Sequence, residues 1–437
     1  MADEIDARDD IMSGYWSSPW PAEDGGPHRR AVVPPSSIPV GRAVVTSRHE
    51  ALGCMVVLRE RGEVFYQGNG MNAEGAFAWV ERIHPESLER VVRSPDLPGG
   101  PFWPGGLAAH RNGSLYVTFG RHCHRLAPDT LAPMAGRELP RARPYNSLLV
   151  LPDGMLVMKD FGGGRGARAL PAGEGSELVV LEPDRLEIVA RLELPEGSIA
   201  RISASLPSDH GETGRVLVHV VGDESLLDVV WDPARAALRL GARVRYLTRP
   251  GQTFGWDPVI ADGSVWLLDD GEGTDAFGPS FRGKGVSTAP LQLLRIPLEG
   301  DRTPVAVEVC GKPGAIIANP PCIDTRHKVA IGYDSGNGVL AAWRYGAPRE
   351  ALTPLWQRDQ NHASHFLLDE VTGTVLTGDF DHERGVAAAV VLDVETGAER
   401  LRADTASPLQ SVIFPSPGWD GEVYVPSFST LARIAPA

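Results

Sequence analysis

The feature that most constrains this chain is a tight turn that recurs along it, each copy set between two short apolar, β-branched runs. The copies are Arg61-Gly62, Asn112-Gly113, Asp153-Gly154, Thr213-Gly214, Asp262-Gly263, Thr372-Gly373 and Asp420-Gly421. An eighth, Arg326-His327, stands in the same context (CIDTRHKVAIG) without its glycine. A two-residue hairpin loop needs positive φ, which glycine adopts without steric cost, so each copy marks a β-hairpin. The copies recur every ~40–60 residues, the length of a four-stranded propeller blade.

Two further strand-like runs follow each hairpin. After Asp153-Gly154 come LVMKD, SELVVLEPDRL and IVARLEL; after Asp262-Gly263 come SVWLLDD, LQLLRIPLEG and PVAVEV. Helical periodicity is nearly absent, and the one helix-like stretch, near Ile83–Val92, reads equally well as two strands. The expectation is an all-β chain, a single eight-bladed β-propeller. The alternative is seven blades, with the irregular first repeat read differently. The C-terminal repeat supplies only three strands (PLQSVIFPSPG, EVYVPSF, STLARIAPA), so IPVGRAVVTS at Ile38–Ser47 should complete it. Pairing both termini in one blade removes exposed strand edges. Residues 1–35, with Trp16, Trp20 and several prolines, read as a tail laid over the surface, and 36–437 as the propeller.

Composition then excludes whole classes of function. The net charge of −14 argues against nucleic acid or an anionic membrane as main partner, since both need a basic surface. The start, MADEIDARDD, is acidic and lacks the apolar run of a secretory signal. No apolar stretch approaches the ~18–20 residues of a membrane span. The four cysteines, at 54, 123, 310 and 322, form no CxxC pair and are expected as buried free thiols. A cytoplasmic protein is expected.

With its hairpin spacing and segments such as GQTFGWDPVIADGSVWLLDDGE, the chain resembles the β-propeller superfamily over about 400 residues. It is similar in character to the gluconolactonase and strictosidine-synthase-like propellers, and to actinobacterial propeller proteins without an assigned activity. The resemblance is architectural and carries no catalytic residue. WD40 blade-end signatures, sialidase-type Asp boxes and the tryptophan-docking repeats of quinoprotein dehydrogenases are absent, which weakens a scaffold or quinone-cofactor reading.

Counting from the turns finds two sets of candidate site positions. Asp160, Asp269, Asp334 and Asp379 all fall at the end of a second strand, with Asp223 close to the same place. Aspartates there can cap the following loop by accepting backbone N–H bonds. If several converge, with Asn146 and Asn319, they suit Ca²⁺, which leaves the cofactor open with calcium as the candidate. The second set lies on first strands: aligning Ser147, Trp256 and Ser364 places Leu148, Asp257 and His365 at one equivalent position. Near them stand Tyr145, Arg201, His362, Gln410 and Ser411. His122 and His124 share a strand face, and together with His362 and His365 they outline a transition-metal alternative.

These positions lead to an expected small-molecule enzyme, a hydrolase or a lyase/isomerase. Asp257 and His365 would exchange protons, Arg201 would orient the substrate, and Trp256 would stack on it, with Tyr145, His362 and Gln410 lining the site. The glycine-rich FGGGRGARAL (161–170) and the insertion 271–290 should lie over the same face as rim loops. Two other readings compete: a non-catalytic protein-interaction propeller, which requires a blocked inner face, and a His-ligated metal oxidoreductase.

Overall fold

A computed structural model describes residues 11–101, 104–163, 169–171, 173–270, 278–316 and 319–437. Eight antiparallel sheets of four main strands follow one another, the architecture of an eight-bladed β-propeller. Each begins at one of the expected hairpins, so the seven-bladed alternative falls.

Two compact units divide the chain. Of the described residues, the first contains those in 11–28, 56–84 and 89–244; the second contains those in 29–55, 85–88 and 245–437. Blades one to four belong to the first, apart from residues 53–55 and 85–88 of blade one. Their opening strands are Gly53–Leu58, Pro104–Ala109, Leu149–Val150 and Ile202–Ser205. Blades five to eight belong to the second, opening at Val259–Ala261, Cys322–Asp324, Leu367–Asp369 and Ser416–Pro417. In the eighth, Ala43–His49 pairs along its whole length with Thr430–Pro436, from Ala43 opposite Pro436 to His49 opposite Thr430. The two ends of the chain close that blade as expected.

Burial falls from the opening strand outward within a blade. In blade three Leu156–Lys159 and Glu177–Leu181 are buried throughout, whereas Ile188–Glu193 alternates, because only one of its faces meets other strands. The turn lacking glycine is rebuilt by other means. Lys328 takes the left-handed conformation, φ 55°, and the Asp324 carboxylate accepts from both the backbone N–H and the ring of His327.

The largest departure from expectation is the N-terminal segment. Residues 11–35 are no surface tail: Ile11, Tyr15, Trp20, Ala22, Ala31 and Val33 are all buried. Residues 1–10 lie outside the described chain. In the first unit this segment laces across all four opening strands. Leu58 N–H donates to Trp20 O at 2.8 Å, Ala109 N–H to Pro21 O at 2.7 Å, Val150 N–H to the Tyr15 hydroxyl at 2.8 Å and Ala204 N–H to Pro27 O at 2.9 Å. In the second unit it continues along blade seven, where Leu368 donates to Ala31 O and Val33 donates to Leu368 O, both at 2.9 Å. An opening strand has one edge with no neighbour in its own blade, and the segment satisfies part of that edge.

Candidate functional site

Two candidate catalytic residues turn out to hold this segment. In the first unit Arg201 forms an ion pair of 2.7 Å with Glu23 and also donates to the carbonyls of Gly105 and Asn146. In the second unit Arg29 donates to the Asp257 carboxylate at 3.3 Å, both side chains being 2% exposed. Glu23 and Arg29 were missed in the sequence. The available signal was a short charged cluster, Glu23, Asp24, Arg29 and Arg30, in a stretch otherwise marked by tryptophans and prolines.

Each strand-end aspartate is engaged within its own blade. Asp160 accepts from Glu177 N–H and pairs with Arg143 at 2.5 Å; burial raises its pKa, against the pull of Lys159 and Arg143. Asp269 accepts from Gln292 N–H at 2.6 Å and from the Gln252 amide at 2.8 Å; burial and the neighbouring Asp270 push its pKa well up. Asp334 accepts from the backbone and side chain of Asn337. Asp379 accepts from Asn361 N–H, Phe380 N–H and Arg402. These are loop caps. Asn146 donates to Ile199 O, and Asn319 staples Ala363 O and Val412 O at 2.6 and 2.7 Å. Among the described residues no group of three or more His, Cys, Asp or Glu is placed to hold a metal ion. Taken unit by unit, the expected calcium ligands are each engaged by these local bonds.

Several candidates do gather in the second unit. His365 and Gln410 line one small hollow with Asn361, Ser364, Thr377 and Asp379. Beside it the described part of the insertion, 278–290, is fastened down. Phe281 packs on Ile316 and Ala363, its N–H donates to the Gln410 side chain, and Arg282 forms an ion pair of 2.8 Å with Asp359. Residues 271–277 of that insertion, and 164–168 of the glycine-rich loop, lie outside the described chain. His365 packs on Phe414 at 4.1 Å. Fully buried His362 stacks on Phe366 at 4.2 Å, and burial lowers its pKa to about 3, so its ring is neutral. Neither Asp257 nor Trp256 is among the residues lining this hollow.

The remaining candidates have local partners. Tyr145 donates to Glu177 at 3.2 Å, and Trp256 is buried, with its backbone N–H donating to Leu268 O. His122 and His124 stack on each other and pair with the carbonyls of Gly99 and Pro98 at 2.8 and 2.9 Å.

The likeness to solved structures is one of fold. The quinohemoprotein alcohol dehydrogenase of Comamonas testosteroni is similar over 100% of this chain and 83% of its own, at 12% identity and a TM-score of 0.65. The Dos1 propeller is similar over 92% of this chain and 96% of its own, at 8% identity and 0.56. Sqt1 of Chaetomium thermophilum, bound to the N-terminus of ribosomal protein L10, covers 90% and 98%, at 11% identity and 0.56. The chain matches no protein-family model and no curated protein. What is shared with these structures is the fold, which in this chain is an eight-bladed β-propeller.

Proposed function

We propose that this protein is an interaction propeller, working in the cytoplasm on a protein partner. The observation behind this reading is the N-terminal segment, which covers opening-strand edges in each unit and draws Arg201 and Asp257 into ion pairs with Glu23 and Arg29. A blocked inner edge and neutralised charges fit a binding protein better than an acid–base pocket. The charge of −14 favours a protein over nucleic acid or a membrane surface. No helix among the described residues is long and apolar enough to cross a membrane. Similarity in fold to a propeller bound to a polypeptide N-terminus adds a precedent for holding protein segments.

The test uses the full-length tagged chain, cross-linked in its source cells and purified. This reading expects one protein partner at fixed stoichiometry, recovered equally with wild type and with a His365→Gln variant. A chain recovered alone, with a small-molecule turnover that His365→Gln abolishes, would overturn it in favour of the enzyme reading.

A further inference from the structure

Blade four carries a cluster that none of the sequence positions above included. Its opening strand ends at Ser205, its second strand Val216–Val221 contains His219, and its third strand Ser225–Asp232 contains Asp228. The Ser205 hydroxyl lies 2.8 Å from His219 Nε2, and His219 Nδ1 lies 2.9 Å from Asp228 Oδ1.

Strand register explains how three distant residues meet. His219 stands directly opposite Asp228, so their side chains share one face of the sheet. Ser203 is its partner on the other side, and Ser205, two residues on, points the same way. The opposite face of the blade is apolar, with Ile202, Ala204, Val218, Val220, Leu227 and Val229 packed in one core cluster.

The polarity of the chain of bonds follows from its end. An ionised Asp228 can only accept, so His219 carries its proton on Nδ1 and presents the Nε2 lone pair to Ser205. That is the tautomer a general base needs to take a serine proton. Ser203, directly opposite His219, is fully buried. The ring bonds Ser205, the last residue of its strand, which is 6% exposed and precedes a turn at 208–214 in which 208, 211 and 212 are exposed.

From this geometry we infer that Ser205 is an activated nucleophile for small acyl esters, a chemical activity additional to, and independent of, partner binding. Ser205 Oγ attacks the ester carbonyl as its proton passes to His219 Nε2. The C–O bond to the alcohol breaks, and the alcohol leaves with that proton. Water, deprotonated by His219, then hydrolyses the acyl-serine and restores the hydroxyl. Ser205 and His219 are the catalytic residues. Asp228 is a positioning residue, holding the tautomer.

The folded full-length protein is treated with a small fluorophosphonate and mapped by peptide mass spectrometry, beside a heat-denatured sample. The expected result is one phosphonate per chain on Ser205, absent after denaturation, because only an activated serine reacts. Hydrolysis of p-nitrophenyl acetate should vanish in Ser205→Ala and fall about a hundredfold or more in His219→Gln. In Asp228→Asn it should fall with a displaced pH profile, and Asp228→Glu should recover part of the rate. No adduct on Ser205 of the folded wild type, or an adduct formed equally fast with His219→Gln, would overturn the inference. The three residues would then be a hydrogen-bonded rung of the sheet. The wild-type mapping decides the matter even if the variants fail to fold.

Discussion

His219 in blade four and Gln67 in blade one occupy the same place in their repeats, each six residues beyond the first residue of its hairpin turn. Their circumstances are opposite. His219 faces Asp228 across the sheet and bonds at both ring nitrogens. Gln67 faces Val80, and Asn69, two residues on, faces Ala78. Both carboxamides are buried, 0% and 2% exposed, and their nitrogens and oxygens make no hydrogen bond among the described residues. The other face of the Gln67 strand is specialised for packing. Gly68 and Gly70 leave room for the rings of Trp79 and Phe77, which an added Cβ would approach to 2.1 and 2.4 Å. A repeat supplies equivalent positions, but the residue across the strand decides whether a buried polar group stabilises the fold or strains it.

The largest expected effect concerns a paired charge. Arg29→Ala takes the guanidinium away from buried Asp257 and should cost about 4 kcal/mol. Urea denaturation measures the loss, and faster proteolysis within residues 11–37 would show the N-terminal segment loosening. His219→Ala removes the donor to Asp228 and the acceptor of Ser205, at a cost of about 3 kcal/mol. A change below about 0.5 kcal/mol there would break the contrast between the two blades.

Smaller effects sharpen the contrast on the unpaired side. Gly68→Ala drives a methyl into the Trp79 ring and should cost about 2 kcal/mol, with altered tryptophan fluorescence. Gln67→Met keeps the side-chain length and removes two unsatisfied groups, so it should raise stability by about 1.5 kcal/mol. A loss on calorimetry instead would mean that the amide has a partner from outside the chain.

The smallest effect is one of pH. Burial lowers the His362 pKa from 6.5 to about 3, so as pH falls the unfolded chain takes up the proton first. Stability is full above about pH 6.5 and is lost as pH falls toward 3. His362→Phe should flatten that limb by about 1 kcal/mol between pH 7.5 and 6, read from urea midpoints at each pH.

Much of the architecture was legible because hairpin turns advertise themselves locally. Seven glycine-containing turns located seven blades, and Asp324 with Lys328 shows why the eighth could dispense with glycine. Closure by an N-terminal strand was legible as well, from a C-terminal repeat one strand short; it was expected at Ile38–Ser47 and lies at Ala43–His49. The site was much less legible. The aspartates at 160, 269, 334 and 379 were found by spacing, yet spacing could not tell a convergent ligand set from four separate loop caps. Asp257 and Arg201 read as reactive charges because Arg29 and Glu23 lie some 170–230 positions away in the chain.

By itself, then, the sequence determined the elements of this protein. Turn chemistry and two-residue alternation act over a few residues and are written where they act. Only the tertiary structure decided how its polar groups are used. Pairing depends on which strand lies opposite and which segment crosses an open edge, and both are long-range. Tertiary structure turned an apparent tail into a buried strap and an apparent acid–base residue into half of an ion pair. It also brought Ser205, His219 and Asp228, unremarkable along the chain, into a single line of hydrogen bonds.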